Sequence, residues 1–333
     1  MKLKSILQYS ISLILAFALL YYAFKNVELN DFFARASEVN YSWVIFSIFL
    51  SLLSHWLRAY RWNILLAPFH NDLSTGRTFL AVMTGYLANL AFPRLGEVTR
   101  CGVLKKTEGI PVSVSFGTVI TERIIDFIIL VSIITFDLIV EFDRVFNFVF
   151  ELLGFQKVLD NKYITISIAL GLVISGILGL YLLKVFINKN SNNAFVQKIQ
   201  NFAKELMEGL FSLKKIKNIQ GFLWSTLGIW VLYFFMSYVI IFSIEETSFL
   251  GILAGFTILS AGGLAMAAPV QGGVGTYHTF VTAILVLYGI DSQTGLFFAT
   301  LLHSSQIISI AVFGGLSVLV TAFISKKKAE EVQ

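Results

Sequence analysis

Between residues 111 and 140 the chain is apolar enough to lie in a membrane, yet it contains Thr121-Glu122-Arg123-Ile124-Ile125-Asp126, three formal charges within two helical turns. Each charge at a helix centre costs roughly 2.5–3.5 kcal/mol on an insertion scale, so three facing lipid would cost on the order of 10 kcal/mol. A helix carrying them must turn them toward protein or a wet cavity. It therefore needs neighbours, which a lone membrane anchor would not provide. Composition supplies them: a mean hydropathy of +0.78, with 56% hydrophobic and 14% charged residues, means more apolar surface than one soluble core of 333 residues requires. The fold class is all-α, a polytopic integral membrane helix bundle. The formal charge of +5 belongs to loops beside apolar spans and is no footprint for nucleic acid. A single cysteine, Cys101, excludes an internal disulfide framework.

Nine apolar segments are visible: 5–24, 43–66, 78–92, 112–140, 163–186, 222–244, 249–268, 277–290 and 296–324. The first follows Lys2 and Lys4, is too long for a signal-peptide core, and reads as a retained span with a cytoplasmic N-terminus. Segments 78–92 and 277–290 have 15 and 14 residues, short of the roughly 20 a crossing needs. Loop charges decide the first of these. If 78–92 crossed, Arg94, Arg100, Lys105 and Lys106 would lie outside, against the positive-inside rule, whereas re-entry leaves everything from Arg58 to Lys106 cytoplasmic. For 249–290, two spans and one re-entrant hairpin keep the same parity, and both stand. The expectation is six to eight full spans plus one or two re-entrant or broken helices, in a cytoplasmic (inner) membrane.

The whole chain, 1–333, reads as one membrane domain. Within it, residues 188–220 place Phe195, Ile199, Phe202, Leu206, Leu210 and Leu213 at spacings of three and four, predicting an amphipathic cytoplasmic connector. Residues 325–333 form a basic cytoplasmic tail.

Two interruptions carry the remaining signal. Phe92-Pro93-Arg94-Leu95-Gly96-Glu97-Val98-Thr99-Arg100 combines a helix breaker with three charged side chains. Ala268-Pro269-Val270-Gln271-Gly272-Gly273-Val274-Gly275-Thr276-Tyr277-His278 is a second break in apolar sequence. Irregular backbone at membrane depth persists only where protein or water satisfies its polar groups, and broken helices present unpaired amides to anions.

Pro93-Arg94-Leu95-Gly96-Glu97 with Arg100, then Glu122-Arg123 with Asp126, then Pro269 with Gly272-Gly273-Val274-Gly275, resemble in order the transmembrane, flippase-like region of the lysylphosphatidylglycerol synthase family. The resemblance implies lipid handling without the soluble aminoacyl-transfer domain of full-length members, and so a carrier rather than a synthase. This sequence departs from the family pattern at two places, with Gln271 where Pro commonly precedes the glycines and His278 where a Glu commonly follows them. His278 is then a titrating substitute for a fixed carboxylate.

Glu122, Arg123 and Asp126 sum to minus one, and Arg94, Glu97 and Arg100 to plus one, so the two groups are expected to meet and neutralise. Glu122 and Asp126 share a helix face, Arg123 can reach Asp126, and Glu122 needs a donor from Arg94 or Arg100. About 14 residues, roughly 21 Å of helix, separate Asp126 from Val140, which places the cluster in the inner leaflet. The expected function is binding and translocation of an anionic phospholipid or lipid-linked precursor. Arg94, Arg100 and Arg123 would engage phosphate, Glu97, Glu122 and Asp126 would hold them, and Pro269, Gln271, Gly272, Gly273, Gly275 and His278 would form the opposite wall. An intramembrane lipid-modifying transferase, with Glu97 or Asp126 as base, and a non-transporting scaffold are the alternatives. Partners are membrane lipids, with a homo-oligomer or a separate lipid-modifying enzyme also compatible. Four scattered histidines have no metal-ligand spacing, no phosphate-binding G-x-x-x-x-G-K-[ST] loop occurs, and no cofactor is expected. Asp137 is expected to be solvated, and Asn89, His303 and Gln306 to bond helix to helix.

Overall fold

The computed structural model describes residues 21, 29–70, 73–144, 216–268 and 270–330. The expected spans at 5–24 and 163–186, most of the 188–220 connector and Pro269 fall outside those residues. So do the end of the basic tail and the side chains of Lys326, Lys327 and Lys328. Among the described residues all regular structure is helical: α1 (Leu29–Glu38), α2 (Tyr41–Leu66), α3 (Thr75–Ala91), α4 (Leu95–Glu108), α5 (Val112–Val140), α6 (Ile219–Tyr238), α7 (Ile252–Ala267), α8 (Thr276–Leu287) and α9 (Ser292–Glu330). Three stretches, Tyr41–Leu66, Ile219–Ser243 and Ser292–Ser325, are long and apolar enough to cross a membrane. The 29-residue α5 is also long enough, but carries the charges described above. Contacts group Met1–Asp137 with Lys215–Gln333, and Leu138–Lys214 separately. In the latter unit the described residues end α5 and enter a turn where Arg144 Nε lies 3.3 Å from Glu141 Oε2. All packing below belongs to the former.

Local chemistry sets the boundaries. Asn40 caps α2 by accepting from Ser42 N at 3.2 Å, and Ser74 Oγ caps α3 by accepting from Arg77 N at 3.3 Å. Pro93 separates α3 from α4, and Gly109, left-handed at φ 77°, ends α4 before Pro111. Asp291 Oδ1 opens α9 by accepting from the amides of Gln293 and Thr294, each at 3.0 Å.

Helices α2 and α6 run antiparallel. Asn40 N donates to Ser243 O at 2.9 Å near one end, while Arg61 lies beside Thr226 near the other. These define a Glu246 end, where Arg35 of α1 pairs with Glu246 at 3.0 Å and donates to Thr294 at 2.9 Å, and an opposite Arg77 end.

Helices α3 and α4 form a hairpin that leaves and returns to the Arg77 end. Arg77, in the first turn of α3, pairs with Glu108, the last residue of α4, at 2.8 Å. Gly85 and Gly96 lie backbone to backbone: a Cβ at Gly85 would stand 2.8 Å from Gly96 O. This close approach lets Asn89 Oδ1 accept from Gly96 N at 2.6 Å, satisfying an amide at the start of α4. The re-entrant geometry expected for 78–92 is thus present, with α4 as its returning arm.

Residues 249–290 also fold as a helical hairpin. Helices α7 and α8 form a hairpin from the Glu246 end. Tyr288 OH near its close lies 2.9 Å from Thr257 Oγ1, and Thr276 Oγ1 donates across the break to Ala265 O at 3.1 Å. Its turn uses Gly272, Gly273 and Gly275 at φ of 55°, 72° and 84°, conformations that side-chain-bearing residues rarely adopt. The two hairpin tips meet, with Leu90 Cδ2 3.3 Å from where a Gly272 Cβ would stand. Helix α9 then runs past both, close enough to α3 that a Cβ at Gly314 would lie 3.0 Å from Met83 O.

Candidate functional site

Buried charge gathers where α2, α4, α5 and α6 meet. On α2, Arg58 and Arg61 sit one turn apart on the same face. Arg58 Nη1 donates to Glu122 Oε1 at 2.7 Å and to Asp126 Oδ2 at 3.0 Å, and its Nη2 donates to Tyr233 OH at 2.9 Å. Arg61 Nη2 donates to Glu122 Oε1 at 3.0 Å and lies 2.8 Å from Asp126 Oδ1. From α4, Arg100 Nη2 donates to Glu122 Oε2 at 2.7 Å. The Arg100 guanidinium lies 4.4 Å from the Trp62 ring centroid, and Trp62 Nε1 donates to Thr118 Oγ1 at 2.8 Å. Glu122 and Arg61 are wholly buried.

This answers the desolvation problem posed by the α5 charges. Two carboxylates that would repel on one helix face are held by three guanidiniums, leaving the five groups with a net charge of plus one. The expected Arg100 to Glu122 contact is there, but Arg58 and Arg61, expected in a cytoplasmic loop, supply the other two cations from inside α2. Arg123 does not turn to Asp126. Asp126 already has two arginines, and Arg123 faces the first hairpin, its Nη2 3.0 Å from Glu97 Oε1.

Arg94 stands apart from the buried group. It is the only non-glycine residue at positive φ (64°) among those described, it precedes α4 at the hairpin tip, and its side chain is exposed. Among the described residues no ion pair involves it. A left-handed arginine costs on the order of 1 kcal/mol, so the turn holds it in place against its preference. The Arg123 side chain is 44% exposed, so two cationic heads near this hairpin remain accessible.

The second break is built without charge. Gln271 and His278 are buried. His278 Nδ1 accepts from Gly275 N at 3.3 Å, holding the left-handed glycine against the first turn of α8. His303 of α9 donates from Nε2 to Gly272 O at 2.8 Å, stacks on Tyr277 at 4.6 Å, and meets the His278 ring edge to face at 5.2 Å. Gln306 Nε2 lies 3.5 Å from Ser47 Oγ, so Asn89, His303 and Gln306 all bond between elements as expected. Asp137 is not solvated: it is buried and accepts from Thr257 Oγ1 at 2.9 Å. Among the described residues no cluster of His, Cys, Asp or Glu could hold a metal ion.

A family model of the lysylphosphatidylglycerol synthase TM region matches residues 9–314, nearly the whole chain, from before α1 into α9. The chain belongs to that family. A relative, the UPF0104 membrane protein MJ1595 of Methanocaldococcus jannaschii, is 22% identical over 302 residues, covering 81% of this chain and 85% of its own. No solved structure matches.

Proposed function

We propose that this membrane protein binds the head group of an anionic phospholipid or lipid-linked precursor at the tip of its first hairpin and carries it across the bilayer. The observation that supports this most is the division among its arginines. Arg58, Arg61 and Arg100 are buried and committed to Glu122 and Asp126, whereas Arg94 and Arg123 keep exposed guanidiniums beside a hairpin tip. Arg94, which makes no ion pair among the described residues, is suited to forked bonds to phosphate, and Arg123 is exposed beside it while paired with Glu97. The buried group fixes α4 and α5, and with them the position of both exposed heads. The second hairpin would be the opposite, uncharged wall, with Gln271 and His278 at its glycine turn.

Membership in a family named for a lysylphosphatidylglycerol synthase favours a lipid substrate. The two hairpins, entering from opposite ends, favour alternating exposure of a central site. The test is a flip assay in proteoliposomes with a fluorescent anionic lipid. A folded Arg94→Ala, Arg123→Ala double variant is expected to lose most of the flipping rate. Flipping at the wild-type rate would sink the binding role.

A further inference from the structure

The elements after α1 repeat. A long helix, a hairpin and a second long helix occur twice, with starts at Tyr41, Thr75, Leu95 and Val112 in the first set and at Ile219, Ile252, Thr276 and Ser292 in the second. The corresponding offsets are 178, 177, 181 and 180 residues, a nearly constant register. The sets are inverted. The first hairpin opens from the Arg77 end and the second from the Glu246 end, with their opening helices α2 and α6 packed antiparallel.

Equivalent positions make equivalent contacts. Gly85, the eleventh residue of α3, lies against Gly96, the second of α4; Gly262, the eleventh of α7, lies against Tyr277, the second of α8, with a Cβ there 2.9 Å from the ring. Glu97, third in α4, meets Arg123, twelfth in α5; His278, third in α8, meets His303, twelfth in α9. The chemistry differs, but each contact pins the returning arm of a hairpin to the long helix that follows it. His303 also holds Gly272 O and the Tyr277 ring.

We infer that the protein is an inverted-topology pair, in which Glu97–Arg123 and His278–His303 are matched latches that hold the two hairpins closed from opposite ends and release in turn. This rests on the carrier reading, since a carrier needs each hairpin to admit its cargo from one side only. It assigns His303, and with it His278, a positioning role toward the second hairpin, equal in kind to that of Arg123 toward the first.

The test reads access rather than flipping, so it stands apart from the identity of the cargo. A single cysteine, Leu90→Cys in a Cys101→Ala background, reports on the meeting point of the tips and is labelled with an impermeant maleimide from each side of sealed vesicles. Glu97→Gln is expected to raise labelling from the Arg77 end and lower it from the Glu246 end by roughly two- to fivefold, and His303→Leu to do the reverse. Combining His278→Glu with His303→Arg, which places the first latch in the second hairpin, should restore the wild-type ratio. His278→Ala replaces His303→Leu if the latter is not monodisperse on size exclusion. The inference is overturned if both single variants shift the ratio the same way, if neither shifts it, or if the transplanted pair behaves like His303→Leu. Wild-type flipping by Arg94→Ala with these shifts intact would overturn the cargo assignment alone.

Discussion

The two hairpins have the same geometry but are held by different chemistry. The first is fastened through buried ions: Arg100 of its returning arm reaches Glu122, which also holds Arg58 and Arg61. The second sits in an apolar cluster with Ala254 and Ile258 on α7, Val281 and Leu285 on α8, and Phe298 and Leu302 on α9, trimmed by hydrogen bonds that include one from Thr257 to the Asp137 carboxylate and without a buried ion pair among the described residues. An ionic support is directional and unforgiving, because losing one member strands the others in a low-dielectric site. An apolar support yields more gradually, since neighbours relax around a lost methylene. The protein thus places its rigid half where charge must be positioned and its more compliant half opposite.

The largest expected effect breaks the ionic side. Glu122→Ala leaves Arg58, Arg61 and Arg100 facing one another around Asp126, and should cost about 3–5 kcal/mol in detergent-solubilised unfolding. Leu302→Ala, one turn from the second tip, should cost less, about 2–4 kcal/mol. A reversed order would remove the contrast between the two supports. Next come the helix contacts. Gly85→Ala drives a methyl into the Gly96 carbonyl, where both sides are backbone, and should cost about 1–3 kcal/mol. The matched Gly262→Ala meets the Tyr277 side chain rather than backbone, so a smaller cost, about 0.5–1.5 kcal/mol, is expected, read as a smaller drop in melting temperature.

Arg94→Gly separates stability from function. Glycine accepts the left-handed backbone, so melting should reveal a gain of about 0.5–1 kcal/mol, while lipid flipping falls because the guanidinium is gone. A variant that is both more stable and fully active would show the strain serves nothing at this tip.

The smallest effect lies at the Glu246 end. Burial works against the Asp291 carboxylate, but hydrogen bonds from Thr294 and Gln293 outweigh it and hold its pKa below the usual carboxylate value. The sign follows from that depression: the stabilisation is full above the unfolded-state value and disappears as pH falls through the folded one. Asp291→Ala should therefore lower stability by about 1 kcal/mol at pH 7, with the gap to wild type closing in acid.

The same contrast explains what the sequence discloses. Glu122, Arg123 and Asp126 are legible because charge in an apolar run is an energetic anomaly, and the partner Arg100 follows from charge balance. Arg58 and Arg61 were hidden by position, since they lie about 12 Å and 8 Å of helix from Leu66, where basic residues read equally well as the start of a cytoplasmic loop. Their spacing of three was the available signal. The first hairpin is legible because misplaced positive charge forces re-entry, whereas the 249–290 hairpin carries no charge to force a choice. The inverted repeat survives in helix starts and contact positions, where Glu97 answers to His278 and Gly96 to Tyr277, so residue identity alone conceals it.

In the proposed function it is the first hairpin that meets an anionic head group. Native mass spectrometry of protein exchanged into equal parts of phosphatidylglycerol and phosphatidylcholine tests it most directly. Wild type should retain the anionic lipid preferentially. The Arg94→Ala, Arg123→Ala variant should lose that preference by about tenfold, and a Gln271→Ala, His278→Ala variant should keep it. Equal retention by the arginine variant, or loss confined to the Gln271 and His278 variant, would contradict it.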